Sequence, residues 1–477
     1  MADVTNRQPM KRPIQWRLSQ GERVLILLIG DLVISSMALL FATYYWSQPD
    51  WLKFSLQFIE ERIPSWFFIS PIIWMLLLAE LYDTRRASRI SETLKGIGIA
   101  FTAGMGIYLL YFFISPPGTL PRLGVAAFLL SATLLTFLWR FIYIKIFTAP
   151  LFLRRVLIIG AGRSGSTIAR VAHDMNPPPF TLIGFVDDDH TKTEFNVEGY
   201  SVLGNSDDLL DIIQAEGITD LIFAISGDIS PTMFENVLQL VEHGVAVTTM
   251  PIAYEELLGR VPITMLQSDW LLRTFVDQAN TGGFYELAKR LMDIFVSMIG
   301  VITLLVLMPF ISVAIILDSG FPVFYSQDRL GKSGKKFEFL KYRTMYTDAE
   351  KDGKALVTVE NDQRITRVGK ILRKSHLDEL PQFINVLRGD MSLVGPRAER
   401  PEIIEKLQLS VPFYRARLLV KPGITGWAQI NFGYASSVED TVIKMGYDLY
   451  YIKHRNLLLD ISIILRTSGT VIGLRGQ

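Results

Sequence analysis

The 477-residue chain contains no cysteine. That excludes a disulfide framework, an iron–sulfur cluster and a thiolate zinc site. Only five histidines are present and they are scattered, so a histidine-based metal centre is not expected either. A strong charge of one sign is also missing. The 48 Lys and Arg nearly balance the 47 Asp and Glu, for a formal net charge of +1. No bulk polyanion, and hence no nucleic acid, is implied as a partner. The opening "MADVTNRQPMKRPIQWRLSQGER" is polar and basic, without a small-residue cleavage site before the first apolar run. That run therefore reads as a retained anchor rather than a cleaved signal.

What the chain does have is apolar residues, at 49%. Its length exceeds what one hydrophobic core normally serves. A multidomain membrane protein is the expected class. Apolar runs occupy Val24–Trp46, Ser65–Tyr82, Gly96–Ile114 and Gly124–Phe147. Each is close to the roughly 20 residues that cross a bilayer core, which predicts an N-terminal four-helix transmembrane bundle over 24–147 after a tail at 1–23. Lys11, Arg12, Arg17 and Arg23 precede the first run. Arg85, Arg86, Arg89 and Lys95 fill the loop between the second and third. Arg140, Lys145, Arg154 and Arg155 close the fourth. The loops 47–64 and 115–123 are poor in Lys and Arg. The positive-inside rule then places the N-terminus, the middle loop and everything after Arg154 in the cytoplasm.

From Arg155 onward, short β-rich runs alternate with helical ones, as expected of a Rossmann-like α/β domain over 154–265. "RRVLIIGAGRSGSTIARVAHDM" reads as strand, glycine turn, helix. Gly160, Gly162 and Gly165 fit G-x-G-x-x-G, and Asp187 follows at the spacing of a ribose-binding acid. Two readings stand side by side: NAD or another nucleotide is bound, or the turn only packs or serves dimerisation. "YELAK" (Tyr285–Lys289) has the Tyr-x-x-x-Lys spacing of nucleotide-sugar epimerases and short-chain reductases, but it abuts an apolar run and reads as a basic membrane flank. That run, Ile294–Leu317, is long enough to span. Yet Lys289 and Arg290 precede it, and Arg329, Lys332, Lys335, Lys336, Lys341 and Arg343 follow. Both flanks look cytoplasmic. A helix bent at Pro309 that returns to the face it entered satisfies this pattern; a kinked full span is the alternative.

In "HLDELPQFINVLRGDMSLVGPRAERP", Leu380, Phe383, Ile384 and Leu387 repeat at helical spacing and Gly389 is a stop. Pro381 is tolerated only in a first turn, so Asp378 and Glu379 are expected at or just before a helix N-terminus. Ionised carboxylates and phosphate are both favoured there. Arg373, Arg388, Arg397 and Arg400 surround them. An ionised carboxylate can attack phosphorus if arginines and a hard cation such as Mg²⁺ neutralise the substrate. One acid then serves as nucleophile and its neighbour as metal ligand.

"KRLMDIF", "KYRTM", "LRKSHLDELPQFINVLRGDMSLVGPR", "VKPGITGWAQI" and "YDLYYI" together resemble the large polyprenyl-phosphate hexose-1-phosphate transferases of bacteria. The resemblance covers about Lys289 to the C-terminus. It implies an α/β-type phosphoglycosyl transferase domain over 284–477, with a re-entrant membrane helix at 291–317. It implies a ping-pong reaction in which Asp378 takes the sugar phosphate of a UDP-sugar, releases UMP and passes the sugar phosphate to undecaprenyl phosphate. Glu379 corresponds to the second acid of the dyad, associated with Mg²⁺. Arg373 and Arg397 match phosphate-binding positions, and Lys341 and Arg343 lie in the basic strand. The implied setting is the bacterial inner membrane, with soluble domains cytoplasmic and the chain a homodimer. Glucose is the first expected sugar, then galactose or an N-acetylated sugar. Ala398 stands where the resemblance leads one to expect proline. The competing reading is a membrane-anchored, NAD-dependent nucleotide-sugar epimerase or dehydratase.

Overall fold

A computed structural model describes residues 20–114, 122–147, 154–192, 196–225, 227, 229–266, 283–347, 362–433 and 437–472. The chain forms two compact units, Met1–Met265 and Leu266–Gln477. Among the described residues, three helices are long and apolar enough to cross a membrane: Gly21–Ser47, Arg122–Phe147 and Gly283–Ser319.

In the first unit, the helix Gln20–Ser47 packs against Arg122–Phe147 and Ser70–Leu77, and the helix Ile90–Ile114 also packs on Arg122–Phe147. The second expected span is not one helix. It divides into a 3-10 turn Ser65–Ile69, an α-helix Ser70–Leu77 with Pro71 in its first turn, and a 3-10 turn Ala79–Tyr82. Hydropathy does not register such a break, because the freed backbone groups find partners inside the protein. Arg140 donates to the Leu81 carbonyl at 2.8 Å, and its guanidinium also pairs with Asp31. Arg140 and Asp31 are both fully buried.

The α/β part of this unit is one six-stranded sheet: β1 Arg155–Ile159, β2 Thr181–Val186, β3 Asn196–Val197, β4 Tyr200–Gly204, β5 Asp220–Phe223 and β6 Ala246–Thr249. The order is β3-β4-β2-β1-β5-β6, with all neighbours parallel except the short β3–β4 pair. β1 is a nearly continuous apolar run whose side chains point alternately to the two faces of the sheet, both of them covered. Val156 and Ile158 pack with Ile168, Ala172, Ala253 and Leu257 on one face. Leu157 and Ile159 pack with Ile213, Met233 and Leu240 on the other.

The second unit begins with the 37-residue helix Gly283–Ser319, about 55 Å of helix at 1.5 Å per residue. Pro309 lies inside this helix and does not end it. Asp293, Ser297, Gly300, Leu304, Ile311 and Ile315 are buried along one face. Phe295, Ile302, Leu305, Phe310 and Leu317 remain exposed on the other. Polar groups fasten the helix near both ends. Asp293 accepts from Ser392 Oγ and the Leu393 N–H, each at 3.0 Å. Near the far end, Asp318 accepts from the Val368 N–H at 2.9 Å. Next come β7 Phe324–Leu330 and β8 Lys336–Tyr342, an antiparallel hairpin, then β9 Ser392–Val394 and β10 Gly423–Thr425, a parallel pair. β7 is mostly exposed and lacks the alternation that marks a half-buried strand.

Candidate active site

The helix Arg367–Lys374 starts at Thr366, whose side chain accepts the Gly369 N–H at 2.9 Å. Gly369 has to be glycine: a Cβ there would lie 2.2 Å from the Thr344 carbonyl oxygen. This close approach brings Arg373 to Thr344, with Nε to Oγ1 at 2.9 Å. The chain then reverses at His376, which is left-handed at φ 56°. Leu377–Glu379 form a single 3-10 turn, Pro381 follows, and the helix Gln382–Arg388 begins. The helix stops at Gly389, φ 91°. The two carboxylates thus stand immediately before a helix N-terminus.

β8 supplies the opposing charge. Asn385, fully buried, donates to the Glu338 carbonyl at 2.7 Å and accepts the Leu340 N–H at 3.2 Å. These bonds lock the helix to the strand and set Lys341 opposite the acids. Lys341 Nζ lies 2.7 Å from Glu379 Oε1 and 3.5 Å from Asp378 Oδ2. Arg397 Nη2 lies 3.6 Å from Glu379 Oε1. The two acids respond oppositely. Burial raises Asp378 above its ordinary range, against the pull of Lys341, and the neighbouring Glu379 charge adds to the rise. Burial also acts to raise Glu379, but Lys341 and Arg397 overcome it and hold that carboxyl down to about 2. The dyad therefore pairs one firmly ionised acid with one that ionises with difficulty, the pattern expected of two carboxylates given different tasks.

Of the four basic candidates, Lys341 and Arg397 reach the dyad. Arg373 is held at Thr344 and acts on Asp378 through its field. Arg343 turns away: it donates to Ser319 Oγ at 2.8 Å and to the Gly320 carbonyl, tying β8 to the end of the long helix. Among the described residues no group of three or more His, Asp or Glu side chains converges. Two adjacent carboxylates nonetheless fit Mg²⁺, which is usually held by one or two carboxylates, water and substrate phosphates.

In the other unit, Gly160 has φ 104°, and a Cβ on Gly165 would lie 2.0 Å from the Gly160 carbonyl oxygen. Gly162 precedes the helix Arg163–Asp174 with open space around it. Asp187 closes onto the turn itself, accepting the Ala161 N–H at 2.7 Å and pairing with Lys192 at 3.0 Å.

Residues 284–473 match the bacterial sugar transferase family, and residues 78–251 match the CoA-binding domain family. Over 334 residues the chain is 30% identical to the UDP-glucose:undecaprenyl-phosphate glucose-1-phosphate transferase of Xanthomonas campestris pv. campestris, with 67% of each chain covered. The chain belongs to the bacterial sugar transferase family. It is 32% identical over 331 residues to the undecaprenyl-phosphate glucose phosphotransferase of Komagataeibacter xylinus, covering 66% of this chain and 58% of that one. It is 42% identical over 218 residues to the UDP-N-acetylgalactosamine-undecaprenyl-phosphate N-acetylgalactosaminephosphotransferase of Aeromonas hydrophila. That match covers 46% of this chain and 50%, half the length, of the relative. The segment matched to the family, 284–473, contains all but the first residue of the long helix Gly283–Ser319, and the whole dyad site.

Sequence reasoning missed a second charged group beside the dyad, made of Arg329, Glu399, Arg417, Lys444 and Asp448. Its members span 119 positions, from Arg329 to Asp448, so no local spacing could have announced it. "YELAK" is also consumed structurally: Tyr285 Oη and Lys289 Nζ both bond to Asp460, each at 2.9 Å.

Proposed function

We propose that this protein transfers a hexose-1-phosphate from a UDP-sugar to undecaprenyl phosphate, releasing UMP, as the first membrane step of a surface or exopolysaccharide. The observation that carries the reading is the Asp378–Glu379 pair at a helix N-terminus, faced by Lys341 and Arg397, within the unit that bears the long apolar helix. The relatives' names agree on undecaprenyl phosphate as acceptor and on sugar phosphotransfer.

Asp378 is the nucleophile. Its oxygen attacks the sugar-bearing phosphorus, the bond from that phosphorus to the UMP oxygen breaks, and UMP leaves with its electron pair. An oxygen of the lipid phosphate then attacks the same phosphorus and releases the Asp378 carboxylate. Arg397, Lys341 and Arg373 bind and orient the diphosphate, while Arg343 holds the site to the membrane helix. Glu379 and Asp378 would hold Mg²⁺, which when bound would neutralise charge at the phosphates. Glucose is the sugar we favour, since two of the three relatives carry it in their names.

The long helix enters and leaves on one side of the bilayer. The support is its anchoring: polar contacts near both ends fasten it to one unit, and one face is covered along its length. A simple span would drag those polar partners into the hydrocarbon. The N-terminal runs cross the inner membrane, the soluble parts face the cytoplasm where nucleotide sugars are found, and the chain works as a homodimer. The glycine turn at Gly160–Gly165 is a packing device, because Asp187 spends its carboxylate on the Ala161 N–H rather than leaving it for a ribose. The epimerase reading has no support from Tyr285 and Lys289, which are occupied by Asp460. Purified protein given a panel of UDP-sugars with Mg²⁺ and undecaprenyl phosphate should release UMP. NAD reduction or sugar inversion in its place would overturn the reading.

A further inference from the structure

Arg397 reaches Glu379 from an exposed position, with 45% of its side chain open to solvent. A long exposed side chain is useful to a substrate only if its backbone is fixed. The backbone of 396–399 is fixed at every residue. Its four consecutive carbonyls all have partners from elsewhere in the unit. The Gly423 N–H donates to Pro396 at 2.9 Å, and Arg417 Nη2 to Arg397 at 3.0 Å. Arg329 Nη1 donates to Ala398 at 3.2 Å, and the Leu330 N–H to Glu399 at 3.1 Å. Ala398 adds no intrinsic stiffness, since its φ is not locked by a ring.

The two guanidiniums are themselves held. Arg417 is buried, with Nε 2.9 Å from Asp448 Oδ2 and Nη1 donating to Tyr414 Oη at 2.7 Å. Asp448 is buried as well. Glu399 Oε1 lies 3.5 Å from Arg417 and 3.9 Å from Lys444, and Glu399 Oε2 lies 3.9 Å from Arg329. Burying such a network is costly, and a well-packed apolar replacement often stabilises as much or more. Stability alone is thus a weak reason for it. Its outputs converge on one short loop, and that loop carries the arginine nearest Glu379.

We infer that Arg417 and Arg329 are positioning residues that clamp the 396–399 backbone, so that Arg397 is presented to a donor phosphate beside Asp378 and Glu379. Neither touches the dyad; both act through Arg397. Asp448 and Glu399 keep the two guanidiniums aimed at the carbonyls. The inference rests on the transferase reading above and assigns these residues to donor binding rather than to the chemical step.

The test is a double-mutant cycle on the full chain in lipid nanodiscs, using the UDP-sugar that gives UMP in the panel. Arg329→Gln and, separately, Arg417→Lys are made in the wild-type and in the Arg397→Ala backgrounds. Each should raise KM for the UDP-sugar about tenfold, the scale of one charge-assisted hydrogen bond, with kcat little changed. Neither should raise it further once Arg397 is alanine. Amide exchange at Leu330 and Gly423, which donate into the loop, should quicken in both variants. An unchanged KM, or the same fold increase in both backgrounds, overturns the inference and leaves the network a stabilising one. If the wild-type protein releases no UMP from any UDP-sugar, the transferase reading fails. The clamp is then judged by exchange alone, and unaltered exchange at Leu330 and Gly423 overturns it.

Discussion

Replacing Lys341 by methionine removes the ammonium that lies 3.5 Å from Asp378 Oδ2 and 2.7 Å from Glu379 Oε1, while keeping most of the stem. Asp378 is already raised by burial, and Lys341 is the group that chiefly opposes the rise. The size of that opposition follows from the distance. Two unit charges 3.5 Å apart attract by about 1 kcal/mol if the medium behaves as water and by about 5 kcal/mol at an effective dielectric near 20. Lys341 is 20% exposed at its side chain, so the attraction lies between these limits, and losing it leaves burial and the Glu379 charge to raise Asp378 further. As the proposed nucleophile Asp378 must be ionised to attack, and a raised folded-state value means that its charge is lost as the pH falls through that value. The acidic limb of kcat/KM, which reports the free enzyme, should therefore move to higher pH in Lys341→Met. The assay is UMP release from the UDP-sugar between pH 5 and pH 9, at fixed ionic strength. A measurable rate with an unmoved acidic limb would refute the electrostatic pairing of Lys341 with Asp378.

Three other outcomes follow from particular residues. Gly369→Ala forces a Cβ to within 2.2 Å of the Thr344 carbonyl; overpacking against backbone should cost about 1–3 kcal/mol, read as a lowered Tm together with weaker donor binding as Arg373 shifts. Ser333→Cys, in a chain with no native cysteine, should resist an impermeant thiol reagent on intact cells while Gln57→Cys reacts; labelling at 333 from outside would mean that the long helix crosses the bilayer. NADH should leave the Tm unchanged, because Asp187 is spent on the Ala161 N–H; a concentration-dependent rise would restore the nucleotide-binding reading of the glycine turn.

Much of this architecture was legible because it is written locally. The helix N-terminus behind Asp378 and Glu379 follows from Pro381, the spacing of Leu380, Phe383, Ile384 and Leu387, and the stop at Gly389. The strand–turn–helix at Gly160–Gly165 follows from glycines that β1 and the next helix need in close contact. Three features escaped for related reasons. The break within Ser65–Tyr82 is invisible to hydropathy, since its remedy, the bond from Arg140 to Leu81, comes from another run. The direction of Arg343 could not be read either. A basic residue two positions from Lys341 shares its strand face in an alternating strand, but Arg343 lies past the end of β8 and turns to Ser319 and Gly320. The Arg329–Arg417 clamp is the extreme case, with partners separated by 20 and 69 positions from the loop they hold.

Whether Asp378 forms a covalent sugar-phosphate adduct is tested by trapping the first half-reaction. Protein incubated with Mg²⁺ and a UDP-sugar labelled in the sugar and its phosphate, without lipid acceptor, should release UMP and retain label on one peptide, at Asp378. Added undecaprenyl phosphate should then discharge the label into lipid. Asp378→Asn should neither release UMP nor retain label, whereas Glu379→Gln should do both slowly and with an altered metal requirement. Label on another residue, or substantial turnover by Asp378→Asn, would contradict the account.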